Sequence, residues 1–355
     1  MKICFFIYNI SSPGGSERVT TIIANQLKKL NYDIRILSVC GNGKPFYTLD
    51  NSIPIHIIYK DKENINSKVK YFDILRKSLL YHKNNETDLI IDVFASRSLI
   101  SIPVKKILKI KNISWEHFNY YAKIGLNPLG RNLACKFSNQ IITLTDEDRK
   151  YYRDNNKING KIDYIYNPSP YPIVDSTDLS NKRVISVGRL THQKGYDMLL
   201  KAWQKVEEKS DWELILLGDG DEKESLINLA NKLKLKNVKF LGVKKDVPEY
   251  YKKSSIYVSS SRFEGLPMCM IEAQSFGLPI VAFDCKTGPS EIINNNKDGF
   301  LIKNENIEEL AEKLLLLIND RDKLEKFSLE ARKSAKRFTL EEIIKNWQEL
   351  LEKIN

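Results

Sequence analysis

Two carboxylates, Glu264 and Glu272, bracket the segment Gly265-Leu266-Pro267-Met268-Cys269-Met270-Ile271, and these nine residues carry the densest chemistry in the chain. The segment reads as a loop turning into a helix. Gly265 permits a tight turn, and Pro267 suits the first helical position, where the N–H it lacks would be unpaired anyway. The backbone N–H groups just past the proline then point outward, with the positive end of the helix dipole behind them, and form a site for a phosphate. Were all nine residues helical, the two carboxylates would stand about 80° apart around the axis, at roughly 100° per residue. With Glu264 on the loop and Glu272 two turns in, they can instead hold two ends of one extended ligand. A sugar joined to ribose through a diphosphate is such a ligand.

Cations that answer such a ligand lie upstream. Arg189 and Lys194 share one short loop, Val187-Gly188-Arg189-Leu190 through Gln193-Lys194-Gly195, at the end of an apolar strand. A planar guanidinium fork and a compact ammonium suit the clamping of a diphosphate, and two solvated surface cations is the plain alternative. Near the N-terminus, Ser11-Ser12-Pro13-Gly14-Gly15-Ser16 opens a helix after the first strand. The Gly14-Gly15 pair lets backbone approach a ligand and the helix start favours an anion, although any strand-to-helix turn can use glycine. Gly218-Asp219-Gly220 reads as a turn with an N-cap. Gly242 follows Val238-Lys239-Phe240-Leu241, where a nucleobase could rest on backbone. The glycine fingerprint of dinucleotide binding is absent after the first strand, as is the Walker phosphate loop. No metal-ligating cluster such as His-Glu-x-x-His stands out, so the cations would do what a metal does elsewhere.

These residues need strands that end beneath them. Short apolar runs alternate with amphipathic helices throughout, which implies parallel sheets with crossover helices. Strands are expected near 2–8, 33–39, 53–58, 88–93, 111–115 and 139–144, with helices including 16–30 and 67–83. Pro168, Pro170 and Pro172 stop both helix and central strand and mark a linker. Strands resume near 183–188, 212–218, 237–241, 255–259, 279–283 and 299–302, and helices at about 306–319, 321–336 and 340–353 close the chain. The expected fold class is α/β, two doubly wound Rossmann-like domains over 1–168 and 173–338 facing across a cleft. Ligands would bind at the carboxyl ends of the strands.

A chain of 355 residues fits two domains. Lys2 to Tyr8 is too short an apolar run for a signal peptide and reads as a buried strand. The longest aliphatic block, Leu314 to Ile318, is far short of the roughly 20 residues a membrane span needs. Five cysteines without a Cys-x-x-Cys pair point to reduced thiols in a cytosolic protein. The net charge of +11 gathers at Lys68, Lys70, Arg76, Lys77 and Lys83, and again at Lys105, Lys106, Lys109 and Lys111. The first group interleaves with Ile65, Val69, Phe72, Leu75 and Leu79 at helical spacing. Either this helix packs that stripe on the core with a solvated basic back, or it lies on anionic lipid headgroups. No DNA- or RNA-binding module is present, so nucleic acid is not an expected partner.

Taken together, Gly14-Gly15, Gly188-Arg189-Leu190, Gln193-Lys194-Gly195, Gly218-Asp219-Gly220 and Glu264-x7-Glu272 resemble the family-4 retaining glycosyltransferases of the GT-B fold, over nearly the whole chain. Ser114-Trp115-Glu116-His117-Phe118 and the stretch from Phe283 to Ile292 are similar to bacterial members that extend lipid-linked, O-antigen or capsular glycans from UDP-hexoses and UDP-N-acetylhexosamines. The resemblance implies that Arg189 and Lys194 neutralise the donor diphosphate as it leaves, and that Glu272 accepts hydrogen bonds from the ribose. It implies that Glu264 and the backbone from Gly265 to Met268 hold the sugar. His117 would reach from the first domain to that sugar, and the last helix would pack back on the first domain. It further implies no cofactor beyond the UDP-sugar donor, no metal, a glycan or lipid-linked acceptor bound mainly by the first domain, and a cytoplasmic enzyme peripheral on the inner face of the membrane.

The developing charge on leaving UDP is where preplaced cations act most strongly. Same-face attack, with a donor phosphate oxygen helping to deprotonate the acceptor, would give retention, and Glu264 would orient hydroxyls rather than attack. A catalytically silent sugar-nucleotide-binding subunit and a GT-B UDP-sugar epimerase stand as the alternatives. His56, His82 and His192 are read as structural, and Asp146-Glu147-Asp148 as a helix start matched to the dipole. Tyr120 and Tyr121 either meet acceptor or lipid, or simply pack.

Overall fold

The computed structural model describes residues 1–60, 68–121 and 125–354. The chain separates into two compact units, Met1–Asn167 with Ile343–Asn355, and Pro168–Glu342. The boundary falls inside the proline-rich stretch.

The first unit runs β1 (Lys2–Asn9), α1 (Gly15–Lys29), β2 (Asp33–Cys40), β3 (Ile55–Tyr59), α2 (Lys68–Asn84), β4 (Leu89–Val93), α3 (Ser98–Leu108), β5 (Lys111–Trp115), α4 (Asn127–Phe137), β6 (Gln140–Thr143), α5 (Asp146–Asn155) and β7 (Lys161–Tyr164). Its seven strands pair in parallel in the order β3-β2-β1-β4-β5-β6-β7. Helices cover both faces of such a sheet, so central strands carry continuous apolar runs instead of alternating ones. Cys4, Phe5, Phe6 and Ile7 of β1 accordingly have no exposed surface. The edge strand β7 is not legible from sequence because Lys161-Ile162-Asp163-Tyr164 alternates exposed and half-buried residues and is too polar for a core strand.

The second unit runs β8 (Arg183–Val187), α6 (Tyr196–Glu207), β9 (Glu213–Leu217), α7 (Lys223–Lys232), β10 (Val238–Phe240), α8 (Val247–Lys252), β11 (Ile256–Ser259), α9 (Met268–Ser275), β12 (Ile280–Asp284), α10 (Pro289–Ile292), β13 (Gly299–Lys303), α11 (Ile307–Asn319) and α12 (Arg321–Ala335). Its six strands are parallel in the order β10-β9-β8-β11-β12-β13. Trp203, Leu199 and Val206 of α6 pack with Leu310, Leu314 and Leu317 of α11 in its core. The last helix, α13 (Leu340–Ile354), belongs from Ile343 onward to the first unit, where buried Trp347 meets Trp115 edge to face at 5.0 Å between ring centres.

The structure redraws the basic helix. Of the expected apolar stripe, Ile65 and the side chain of Val69 lie outside the described residues, and Phe72 is turned outward, 67% exposed. The buried face of α2 runs instead through Ile74, Ser78 and His82, with Tyr71 and Leu75 half-buried beside it. Leu75 and Leu79 of the expected stripe do pack on this core, and Phe72 does not; Ser78 and His82 bury beside them although a pattern counts them as polar.

One buried group in the first unit gives a pH signature. Asp92 on β4 has no exposed surface and accepts hydrogen bonds at one oxygen from Ser98 (2.9 Å), Ser101 and Asn112 (3.3 Å). Burial pushes its pKa up to about 7 against the pull of those donors. The folded chain therefore keeps a proton that the unfolded chain has already released. Stability contributed by protonated Asp92 is present near pH 4 and is lost progressively as pH rises through about 7. His82 and His117, both pushed down to about 3 by burial, act oppositely below pH 6.5, so the difference between two proteins is the clean quantity. Urea unfolding of wild type beside Asp92→Asn at several pH values from 5 to 7.5 checks this. Wild type should lose ground to the variant by about 1.4 kcal/mol per pH unit up to the folded pKa, the slope for one proton held by the folded chain alone. Parallel pH dependence in the two proteins would rule the buried proton out.

Candidate functional site

The order of connection reverses in the second sheet between β8 and β11. At such a switch point the following loops leave toward opposite faces and open a crevice outside the carboxyl ends of the strands. The β8–α6 loop carries Arg189 and Lys194, and the β11–α9 loop carries Glu264. The fold thus brings together Lys194 and Glu264, which are 70 apart in sequence.

Lys194 Nζ lies 2.6 Å from Glu264 Oε1, and the same oxygen accepts a 2.6 Å hydrogen bond from Ser261 Oγ. Glu264 is 6% exposed, and its backbone carbonyl accepts from Thr287 Oγ1 at 2.7 Å. A carboxylate this buried requires a charged or hydrogen-bonding partner. Burial alone would push the Lys194 pKa down, but the adjacent Glu264 carboxylate outweighs it and holds the ammonium above the ordinary lysine range. The site therefore keeps a full positive charge beside an aligned acceptor oxygen. The Arg189 side chain is exposed and makes no hydrogen bond or ion pair among the described residues, leaving its fork open to a ligand.

Gly188 makes room for this pair, since a Cβ there would stand 3.1 Å from both Lys194 Cε and Tyr196 Oη. Gly195 does the same for backbone. Its φ is +61°, and a Cβ would fall 2.1 Å from the Ser260 carbonyl oxygen. Part of the glycine usage therefore serves loop-on-loop packing rather than ligand approach. Gly242, by contrast, faces open space with φ +69°, two strands from β8 at the end of β10.

Helix α9 begins one residue later than the sequence suggests. Pro267 is its N-cap, not its first helical residue, because ψ of 99° keeps it extended, and the first bonds within the helix run from Met270 N–H to Pro267 O (3.0 Å). Met268 and Cys269 precede that bond, so their N–H groups are not used within the helix. Leu266 is buried and anchors the loop. Glu272, about one turn into α9 and 6% exposed, accepts a 3.1 Å hydrogen bond from Tyr251 Oη. Burial first, and then the Glu272 carboxylate, hold the Tyr251 phenol protonated as that donor. The expected N-cap in Gly218-Asp219-Gly220 is also displaced. The cap of α7 is Glu222 without a side-chain cap bond, while Asp219 accepts from Gly220 N–H (2.8 Å) and Lys223 Nζ (2.8 Å).

His117, Gly14 and Gly15 lie in the first unit. His117 follows β5, its ring 4.2 Å from Trp115 and 5.1 Å from Phe94 between ring centres. Phe94 has φ +79°, a strained conformation for an aromatic residue. That turn ends β4 with the Phe94 ring against His117. The imidazole is half-buried, its Nε2 is covered and has no hydrogen-bond partner among the described residues, and burial pushes its pKa down to about 3. Burial thus favours the neutral imidazole. The loop bearing it is pinned by Glu116, whose Oε1 accepts from the backbone N–H of His117 (3.1 Å) and Phe118 (3.2 Å). Arg131 pairs with Glu116 at 3.4 Å, and Tyr152 donates to it at 3.0 Å.

The Gly14-Gly15 helix start is less open to an anion than its sequence implies. The Glu17 carboxylate folds back over it, so close that a Cβ on Gly14 would meet Glu17 Oε2 at 2.1 Å. An acid in the first helical turn satisfies the dipole internally. Tyr120 packs within the Arg131–Tyr152 group, and Tyr121 is 44% exposed against Tyr151. His82 is buried against Thr87, and the short His192–Lys194 turn carries His192 with no buried residue in it. Thr145 caps α5 through Asp148 N–H, as the acidic start suggests. Sequence reasoning misses Ser261, Thr287, Tyr251 and Arg131 as supports. Only the run Ser259-Ser260-Ser261 ahead of Glu264 hints at them.

A switch-point crevice with two cations, a paired carboxylate and a helix start is where a doubly wound sheet binds a ligand, and comparison with known proteins gives the class. Residues 175–334 match the family model described as glycosyl transferases group 1. The chain is 39% identical over 355 residues to an uncharacterised glycosyltransferase of Haemophilus influenzae, covering 99% of each. This chain belongs to the group 1 glycosyltransferases. It is 28% identical over 365 residues to the GalNAc-α-(1→4)-GalNAc-α-(1→3)-diNAcBac-PP-undecaprenol α-1,4-N-acetyl-D-galactosaminyltransferase of Campylobacter jejuni, covering 100% of this chain and 99% of that one. Its fold is that of Anabaena HepE, solved in complex with UDP, with a TM-score of 0.82 at 20% identity over 99% of this chain and 100% of that one. The two parallel Rossmann-type sheets are the GT-B fold.

Proposed function

We propose that this glycosyltransferase moves a hexose or N-acetylhexosamine from a UDP-sugar, with retention and without a metal, to a lipid-linked glycan in bacterial surface polysaccharide synthesis. The observation that carries this reading is the 2.6 Å pair of Lys194 and Glu264 beside the start of α9, with Glu272 about one turn further. Lys194 and Arg189 would take the charge that develops on the leaving diphosphate, which is where fixed cations lower a barrier most. Glu264 would accept from sugar hydroxyls. Its near oxygen is held by Lys194 and Ser261, which suits orientation better than covalent attack. Glu272 would accept from the ribose while Tyr251 fixes its rotamer. The lipid-linked acceptor is supported by the Campylobacter relative's name, and UDP by the ligand of the Anabaena structure.

The outer face of α2 supports membrane docking by the first unit. Phe72 and Leu80, 67% and 45% exposed, share it with Arg76 and Lys83. Apolar and basic residues on one exposed helical face suit anionic headgroups. No helix among the described residues is long and apolar enough to cross a membrane.

The test is UDP release from a panel of UDP-hexoses and UDP-N-acetylhexosamines, wild type beside Glu272→Ala, with and without anionic vesicles. Slow hydrolysis of one donor, lost in the variant, is the expected result, with the released sugar keeping its anomeric configuration by NMR. Release from GDP- or ADP-sugars only, or from none, would overturn the UDP reading. Failure of the protein to co-sediment with phosphatidylglycerol vesicles at low salt would remove the docking face.

A further inference from the structure

We infer that Arg262 is a positioning residue for the donor clamp, welding the turn that carries Lys194 to the loop that carries Glu264. The inference rests on the role proposed above for those two residues. Arg262 touches neither of them. Its guanidinium forks onto Asp197 of α6 with bonds of 2.9 and 2.8 Å, and Nη1 also donates to the His192 carbonyl at 2.8 Å. Its backbone N–H donates to the Gln193 carbonyl at 2.8 Å, and Gln193 Nε2 returns a 3.0 Å bond to the Phe263 carbonyl. Ser260 Oγ donates to the Lys194 carbonyl at 3.0 Å. Glu305, from the loop after β13, stands 3.8 Å from Arg262 Nε.

These contacts form a zipper between residues 192–195 and 260–264, and the Lys194–Glu264 pair is its last link. Each loop by itself is only a short excursion from its strand end. The three-residue turn His192–Lys194 has no side-chain cap of its own. What keeps the ammonium 2.6 Å from the carboxylate is therefore the crosslink two residues away. An isolated exposed ion pair would do little. This one is a planar fork, with side chains 18% and 33% exposed, that also ties down a backbone carbonyl. Lysine cannot reproduce that geometry, because a single ammonium cannot reach two carboxylate oxygens and a carbonyl in one plane.

Reaction rates are more sensitive than binding to misplacement of about an ångström, so a positioning role separates from a structural one in the kinetics. Arg262→Lys should lower kcat for donor hydrolysis by about tenfold or more, while affinity for free UDP changes by less than turnover does. Backbone amide exchange should quicken at 192–195 and 260–264 and stay unchanged in β8 and β11. Asp197→Asn should give the same pattern, and the double variant should be no worse than the more damaging single one. Unchanged kcat and unchanged loop exchange in Arg262→Lys would overturn the inference. So would a general rise in exchange across the unit, which marks lost stability instead of lost alignment. If wild type turns over no nucleotide sugar but the two loops loosen together, the proposed function fails and the weld stands.

Discussion

Replacing Lys194 by alanine should lower sugar transfer by about 100- to 1,000-fold, the usual loss when one preorganised charge stabilising a transition state is removed. The same change should also destabilise the second unit, because Glu264 then sits 6% exposed with Ser261 in place of a cation. Breaking a fully buried pair by deleting one partner costs about 3–5 kcal/mol. The Lys194 side chain here is 20% exposed, so water reaches the pair and roughly 2 kcal/mol is the better expectation. The two effects separate in the double variant Lys194→Met/Glu264→Gln. It removes both charges, should recover most of the stability, and should remain as inactive as the single variant. Thermal unfolding and UDP release on the three proteins decide the matter. Activity within tenfold of wild type in Lys194→Ala, or activity regained in the double variant, would show that the lysine serves the fold and not the chemistry.

What is legible in the sequence follows from which forces act locally. Every strand but the polar edge strand β7 can be placed within a residue or two, because a parallel sheet covered on both faces forces continuous apolar runs, as in Phe5-Phe6-Ile7 and Leu214-Ile215-Leu216. Lys194 and Glu264 are legible one by one, each from its own loop. Their direct pairing is not, because it depends on β8 and β11 being neighbours, which strand order decides and no local pattern records. Arg262 is invisible for the same reason. Its partners Asp197 and His192 are 65 and 70 residues away. The Gly14-Gly15 reading is half complete. The glycines do open α1, and the space at Gly14 is taken by the protein's own Glu17 carboxylate, while Gly15 faces open space. Phe72 misleads because an exposed aromatic looks like a core residue to any pattern that scores hydrophobicity alone, and its exposure is the point if α2 rests on lipid.

Trp347→Ala should be the most destabilising single change in the first unit, at about 3–5 kcal/mol for truncating a fully buried tryptophan. Trp347 has no exposed surface and lies on a helix whose sequence neighbours, up to Glu342, belong to the other unit. Apart from this helix, the first unit ends at Asn167, so the 343–355 segment completes a core that the preceding chain leaves open. The damage should also reach the site. The Trp347 ring packs edge to face on Trp115 at 5.0 Å, and Trp115 lies 4.2 Å from the His117 ring. Removing that ring leaves a cavity beside Trp115, into which Trp115 can shift in part. The His117 imidazole, half-buried and fixed mainly by Trp115 and Phe94, would then lose one wall. The expected result is an earlier unfolding transition for the first unit, with the second nearly unchanged, and a lower kcat even at temperatures where both units are folded. Trp347→Phe should keep most of the stability and most of the rate. An alanine variant that unfolds early but turns over at the wild-type rate when folded would show that the aromatic stack ends at Trp115 and that His117 is held by Glu116 and Phe94 alone.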